Sequence, residues 1–320
     1  MPTNEERHNR QNLHYSTDPT QRARISMIAT PIGNLKDITA RALETLQNCD
    51  ELWCEDTRHT QNLLNALQIE GKRFRRVDQH TPPAEIISLL ERVSEQGQHI
   101  GVVTDAGTPG ISDPGAKVVE LAMQISSPGS IRIEAIPGPS AVSAFVSIAA
   151  FADNSFLFQG FFPREEKPGL QLLSDLIETE LTRNFIFFES PNRIRETIEL
   201  LKRWSEALDF SPRFLLAKEL SKIHETIYSG NGADFLSHLL EQHFDERGEW
   251  VFSVMIPKSY VKIKKDQADW ALTLECLISS GISTKDASAL ISQRFSVAKK
   301  LAYQSALEMQ KKVKKDESKA

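Results

Sequence analysis

From Ile25 onward, short apolar runs alternate with longer segments of helical spacing, and this alternation limits the fold more than any other feature. Ile25–Ala29, Glu51–Cys54, His99–Val103 and Ile131–Ile136 are too short for a helix with a buried face and read as strands. Between them, Ile38, Ala42, Leu43 and Leu46 fall on one face of a helix, and a second helix is expected near Gln61–Leu67. Pro83 opens a third at its first turn. Ile86, Ile87, Leu89, Leu90 and Val93 form its buried stripe, and Gly97 ends it. A fourth starts at Ala116, with Val118, Val119, Leu121 and Ala122 as its stripe. Strand, helix and strand in repeated succession predict a parallel or mostly parallel sheet with helices on both faces.

The rhythm changes after Ala149. Phe156–Gln159, Phe185–Phe188, Phe214–Ala217, Glu225–Ser229 and Trp250–Ile256 read as strands with fewer helices between them, which predicts a second α/β domain with a more antiparallel sheet. From Lys258 to Lys265 the chain turns basic, then helical over Ala268–Ile278, Lys285–Arg294 and Val297–Met309. Ser283, with Asp286 three residues on, is a capping signal. The expected plan is a disordered leader over 1–24, an N-terminal α/β domain over 25–149 and a second α/β domain over 150–257. A helical appendage over 258–310 and a basic tail over 311–320 complete it. At 320 residues the chain has room for two cores.

No apolar run approaches the ~20 residues that cross a bilayer, and Met1–Arg24 lacks the apolar centre of a signal peptide. The three cysteines, Cys49, Cys54 and Cys276, have no ligand-like spacing, which argues against a disulfide framework or a zinc site and for a reducing, cytoplasmic setting. A net charge of −5 gives no global pull toward nucleic acid, so such binding must use local patches. Lys72, Arg73, Arg75 and Arg76 around Phe74 form one basic run, and Lys311, Lys312, Lys314 and Lys315 another. Either run is also read as a solvated charged face.

Four loops follow strands and carry turn-forming residues. The longest runs from Thr104 through Asp105, Ala106, Gly107, Thr108, Pro109, Gly110, Ile111, Ser112, Asp113 and Pro114 to Gly115. It leaves the carboxyl end of a strand, where ligands bind in α/β sheets. Gly107, Gly110 and Gly115 let backbone approach a ligand, Pro109 and Pro114 stiffen the loop, and Asp105 can accept from a hydroxyl or amine. Thr30–Leu35 follows the first strand, its Pro31 and Gly33 suiting a rigid turn that brings amides near a bound group. Pro137–Ala141 joins the Ile131–Ile136 strand to an apolar helix, with Ser140 able to cap that helix or to meet a ligand. Glu189–Arg193 links Phe188 to the next helix. Together these loops outline a cleft. No Gly-x-Gly-x-x-Gly fingerprint, Gly-Lys-Ser/Thr or Gly-x-Ser-x-Gly occurs, so the cleft does not announce a dinucleotide, ATP or a serine nucleophile.

Two charged groups sit at strand exits. Glu55, Asp56, Arg58 and His59 suit proton abstraction with phosphate clamping, or alternatively a capped helix start with Asp56 or Thr57 as N-cap. Lys218 and Glu219 leave the Phe214–Ala217 strand and either reach the cleft or form an exposed ion-pair turn.

In this order the loops resemble the ribosomal RNA small subunit methyltransferase I family, cytidine 2′-O-methyltransferases within the tetrapyrrole methylase superfamily. The resemblance rests on ATPIGNLKDITARAL (29–43), CEDTRHT (54–60), VVTDAGTPGISDPG (102–115) and IPGPSA (136–141), continued by FLFQGFFPR (156–164), FFESPNRI (187–194) and AKELSKIHE (217–225). It covers Ile25 to about Ile256, and the terminal helices resemble the family's C-terminal appendage. Ala116, Phe151–Asp153 and Gly230–Gly232 depart from the family pattern.

The resemblance implies two α/β domains of the tetrapyrrole methylase type with S-adenosylmethionine in the cleft between them. The cofactor would lie against Asp105, Ala106 and Gly107, with Ile111, Ser112, Ser140, Ala141, Phe188, Glu189 and Ala217 lining the pocket. No metal is implied, because a sulfonium is already an activated donor. Proton removal from a ribose 2′-hydroxyl would fall to Glu55, Asp56 and His59, or to Lys218 and Glu219. Arg58, Arg164, Arg193 and Arg195 near the cleft are candidate phosphate contacts for RNA, or equally plain surface residues. The implied substrate is a cytidine in the decoding region of 16S rRNA within the small ribosomal subunit, and the implied assembly is a homodimer. Two rivals share the fold: a methylase of small, tetrapyrrole-like substrates, and a docking factor without catalysis.

Overall fold

A computed structural model describes residues 23–125, 131–151, 153–178, 182–242, 244–258, 260, 265–280, 282–295 and 297–317. The chain divides into two compact units, Met1–Pro257 and Lys258–Ala320.

The first unit holds two sheets. One contains β1 (Arg24–Ile28), β2 (Glu51–Cys54), β3 (Arg73–Arg76), β4 (His99–Val102) and β5 (Arg132–Ile136) in the order β3-β2-β4-β1-β5, every pair parallel. The crossovers are helices: α1 (Ala40–Asn48), α2 (Thr57–Ala66), α3 (Pro83–Gln96) and α4 (Gly115–Ile125). Ile25, Trp53, Ile100 and Val102 pack on one face against Ile86, Leu90 and Val93 of α3 and Leu121 of α4. Ile28, Leu52, Cys54 and Val103 pack on the other against Ala42 and Leu46 of α1 and Leu64 of α2. Both faces are thus covered, as a parallel sheet requires.

β3 is a strand that the sequence pattern does not reveal. Its residues are Arg-Phe-Arg-Arg, so the run that looks like a basic patch is the edge of the sheet. Much of its charge is committed: Arg75 pairs with Glu51 at 3.1 Å, Arg76 with Asp78 at 2.8 Å, and Lys72 donates to the carbonyls of Gln47 and Cys49. Charged side chains on an edge strand also discourage pairing with other chains.

At the amino ends of β1, β4 and β5 lies a buried polar chain. Ser26 Oγ donates to Glu134 at 2.6 Å and accepts from His99 Nε2 at 2.8 Å. Burial, followed by the charge of Arg24, lowers the His99 pKa to about 4, so the ring is neutral.

The second sheet contains β6 (Leu157–Phe161), β7 (Asn184–Glu189), β8 (Arg213–Lys218), β9 (Thr226–Asn231) and β10 (Trp250–Met255), ordered β6-β7-β10-β8-β9. β6 and β7 are parallel, whereas β10 runs against both β7 and β8, and β9 against β8. The mixed sheet matches the expectation from sequence. Its centre is aromatic: Phe187 stacks on Phe252 at 5.0 Å, and Phe162 meets both edge-on. Helices α6 (Glu166–Glu178), α7 (Ile194–Glu206) and α8 (Gly232–Glu241) accompany these strands.

α5 (Ala141–Ala149) follows β5 in the chain but packs on the second sheet. Its Val142, Phe145 and Ala149 join Ile32 against Ile186, Leu215, Ala217 and Val251. This shared core makes the two α/β halves one unit.

The second unit is α9 (Lys265–Ser279), α10 (Thr284–Phe295) and α11 (Lys299–Glu317), packed around Trp270, Leu274, Ile291 and Ala302. Ser283 caps α10 as the sequence signals: Asp286 N donates to its Oγ at 3.1 Å, and that Oγ donates back to Asp286 Oδ2 at 2.6 Å. Two expected boundaries move. Helix α11 runs to Glu317, so 311–317 are helical rather than a separate tail. Arg24 belongs to β1 and Ala23 is buried, while residues 1–22 of the expected leader lie outside the described residues.

Candidate active site

The loops leaving β1, β4 and β5 are stitched together. Thr30 and Gly107 form an isolated antiparallel bridge, Thr30 N donating to Gly107 O at 2.9 Å and Gly107 N to Thr30 O at 3.1 Å. Thr108 Oγ1 donates to Pro139 O at 2.9 Å. Gly107 takes φ +83°, and a Cβ there would stand 3.2 Å from Ile32 Cγ2, so a side chain would be strained and crowded. Farther along, the Asp113 carboxylate accepts from the backbone N–H groups of Gly110 and Ile111 at 2.8 Å and of Gly115 at 2.7 Å. This one acid folds the loop and sets a negative charge at the start of α4, where the helix dipole favours it. Ser112, held beside it, takes the left-handed φ +63°.

The second sheet supplies the facing wall. Phe188 and Glu189 end β7 and lead into Ser190 and Pro191. Beside them, Trp250 pairs with Glu189 and Val251 with Phe188. Because β10 is antiparallel, Glu249, Trp250 and Val251 reach the site from the start of their strand.

Between the walls lies a cavity of roughly 380 Å³. Glu55, Asp105 and Asp113 contribute to its lining. The Glu55 carboxyl is held above the ordinary carboxylate range, first by burial and then by the charges of Asp105 and Asp113. Such a lining suits a ligand that carries positive charge. A second cavity of roughly 330 Å³ sits at the opposite ends of β1, β4 and β5, but Arg132 there pairs with Glu134 and Arg41 donates to Ala135 O.

The residues expected to hold a cofactor separate into two sets. Asp105, Ala106, Gly107, Ile111, Ser112, Ser140, Ala141, Phe188 and Glu189 line the cavity. Pro31 and Gly33 flank the lining residue Ile32 without joining it, and Ala217 is buried in the core shared with Ile32 and Val251. Gly33 has its own reason to lack a side chain: a Cβ would stand 2.2 Å from Lys222 Cγ. The Glu189 carboxylate, although beside the cavity, is fully buried among Thr197 Oγ1 at 2.6 Å, Ser190 N at 2.7 Å and the guanidinium of Arg193.

The acid–base candidates also part. Glu55 lines the cavity. Asp56 is the N-cap of α2, accepting from Arg58 N at 2.8 Å and pairing with its guanidinium at 2.9 Å. Those bonds hold Asp56 well below the usual carboxylate range. His59 is exposed in the first turn of α2. Lys218 pairs with Asp245 at 2.7 Å, and Glu219 accepts from Lys222 Nζ at 2.7 Å and from Glu249 N at 2.8 Å.

Among the arginines, Arg58 and Arg164 are exposed. Arg193 ties Glu189 to Phe162 O, and Arg195 pairs with Glu246 over the ring of Phe244. The wall residues Phe161 and Glu249–Val251 escaped the sequence reading. Gly248, at φ +99° just before β10, is the one local mark of that turn.

Residues 24–235 match the family described as Tetrapyrrole (Corrin/Porphyrin) Methylases. The chain is 35% identical over 297 residues to ribosomal RNA small subunit methyltransferase I of Escherichia coli O157:H7, covering 93% of this chain and 99% of that protein. Against the protein of the same name from Pasteurella multocida it is 35% identical over 283 residues, covering 88% and 96%. Against that from Synechocystis it is 32% identical over 286 residues, covering 89% and 97%. A solved diphthine synthase shares the fold, with a TM-score of 0.53 at 13% identity over 72% of this chain and 89% of that one. With two sheets around one loop-lined cavity, and identity along nearly its whole length, the chain belongs to the tetrapyrrole methylases and, among them, to the ribosomal RNA small subunit methyltransferase I family.

Proposed function

We propose that this chain transfers a methyl group from S-adenosylmethionine to the 2′-hydroxyl of a cytidine ribose in 16S rRNA. The observation that carries the reading is 35% identity to a ribosomal RNA small subunit methyltransferase I across 93% of the chain. A cavity formed by the motif-bearing loops supports it.

The residues present fit that cofactor. Gly107 leaves the backbone open where a Cβ would crowd the pocket, and Asp105 offers an acceptor for a hydroxyl or amine. The carboxylates of Glu55, Asp105 and Glu249 complement a cation, and the volume is that of a small-molecule site. When bound, S-adenosylmethionine supplies a methyl group on positively charged sulfur, a donor that needs no metal to activate it. The chain's own work is positioning and proton removal. Glu55 holds the proton given up by the attacking 2′-hydroxyl, a role that its raised proton affinity suits. Arg58 and Arg164, both exposed, serve as phosphate contacts in this reading, while Arg193 and Arg195 brace the wall.

Labelled methyl transfer to unmodified small ribosomal subunits, with naked 16S rRNA alongside, tests the reading. Label recovered in 2′-O-methylcytidine supports it. Cofactor binding without transfer to either RNA overturns it in favour of a small-molecule methylase. The reading includes a cytoplasmic homodimer, and sedimentation velocity showing only monomer removes that part.

A further inference from the structure

The pairing of β6 with β7 is interrupted. Leu157 pairs with Phe185 and Phe158 with Ile186, but the next pair is Phe161 with Phe188, so Gln159 and Gly160 stand together opposite Phe187. Gly160 absorbs the extra residue at φ +76°. In a regular strand, residues three apart point to opposite faces, so Phe161 would turn away from Phe158. The bulge returns it to the same face. There Phe158 and Phe161 both meet the Phe188 ring edge-on, at 4.7 and 5.7 Å. Phe162 takes the opposite face and is buried against Phe187 and Phe252.

Of these two neighbouring rings, Phe162 is core and Phe161 is not. Phe161 is 56% exposed, and it lines the cavity. A half-exposed phenyl presented into the cavity by an irregular strand is a surface for another flat group. The loops of the first sheet already supply the backbone and carboxylates that a polar, cationic ligand needs, whereas Phe161 stands on the other wall. A nucleotide whose 2′-hydroxyl is to react must leave its stack, and its base then needs a replacement partner.

We infer that Phe161 is the platform on which the base of the target nucleotide stacks while its ribose is held for methyl transfer. This rests on the RNA reading above. Aromatic stacking is tolerant of base identity, so the platform sets position rather than sequence choice.

Initial rates of methyl transfer to small ribosomal subunits, measured for wild type, Phe161→Ala, Phe161→Leu and Phe161→Tyr, test this alongside calorimetric titration with S-adenosylmethionine. Phe161→Ala is expected to lower kcat/KM for the subunit by about 10–100-fold, mostly through KM, with cofactor affinity held within about twofold. Phe161→Leu, apolar but not flat, is expected to stay low, and Phe161→Tyr to restore the rate. Unchanged transfer by the alanine or leucine variant overturns the platform and leaves the RNA reading standing. A matching fall in cofactor affinity also overturns it, because the ring then serves the cofactor. Wild-type protein that transfers no methyl to RNA removes both. The leucine–tyrosine pair keeps the test decisive if the alanine variant fails to fold.

Discussion

In the first sheet all strands run the same way, and each residue given to the cavity lies beyond a carboxyl end, in a loop or, for Ala141, at the start of α5. In the second, β10 runs against its neighbours and gives its first residues instead. The first wall brings Gly107, backbone and the acids Glu55, Asp105 and Asp113; the second brings Phe161, Phe188, Trp250 and Val251, with Glu189 and Glu249 beside them. The same division runs through the cores, mostly aliphatic around the parallel sheet, with Trp53 and Phe74 as its aromatics, and ring-on-ring at the centre of the mixed one. One half thus offers most of the backbone and the other all of the rings.

The sharpest way to break this division is to exchange its acids. Glu55→Gln should lower kcat by about 10²–10⁴-fold, the usual worth of a general base, while cofactor affinity changes far less. Because burial and the neighbouring Asp105 and Asp113 raise the Glu55 pKa, wild-type kcat should fall with acid at a pH above the ordinary carboxylate range. The glutamine variant should lose that limb. If Glu249→Gln, on the other wall, proved equally damaging in steady-state kinetics, chemistry would not belong to the first half alone.

Next in size is the aromatic centre of the second sheet. Phe252→Ala should cost about 3–5 kcal/mol in urea denaturation, because the rings of Phe162 and Phe187 cannot close the gap. A loss below about 1 kcal/mol would mean that the rings only fill space. Gly107→Val probes the first wall. Strain at φ +83° and contact with Ile32 should weaken S-adenosylmethionine binding by about 10–100-fold in calorimetry, strain of this kind costing about 1–3 kcal/mol. Unchanged affinity would show that the stitched loops yield.

The smallest effect concerns His99, far from the cavity at the strands' amino ends. Its folded pKa is lowered to about 4, so between pH 6.5 and pH 4 the unfolded chain takes up a proton that the folded chain refuses. Stability is therefore complete above pH 6.5 and declines toward pH 4, by about 2 kcal/mol at pH 5. Arg24, Glu134, Asp50 and Lys72 are the charges around it. His99→Gln should flatten the difference between urea midpoints at pH 7 and pH 5; an unaltered difference would assign it to other groups.

How much of this was legible beforehand follows from the same contrast. Alternation exposed the parallel sheet, and the rule of carboxyl ends led to Asp105, Gly107 and Ser140. That rule is blind to an antiparallel strand, so Glu249–Val251 went unseen. Period two is blind to a bulge, so the expected Phe156–Gln159 strand stops short of Phe161 and Phe162, of which one is exposed and the other buried. β3 hid because its arginines resemble a surface run while their backbone completes an edge. Arg193 reads from sequence as a candidate RNA contact. Only the fold brings Glu189 and Phe162 O to it.

The reversed direction of β10 also bears on how such a cavity changes over generations. Its approach is pinned at Asp245 by Lys218 and at Glu246 by Arg195, while Trp250 Nε1 donates to Glu246 O. Between those anchors and the wall lie only Arg247 and Gly248. Residues inserted there lengthen the lip of the cavity while every strand keeps its partner. A lineage can therefore retailor what the cavity admits through this short window, with the paired framework untouched at each step.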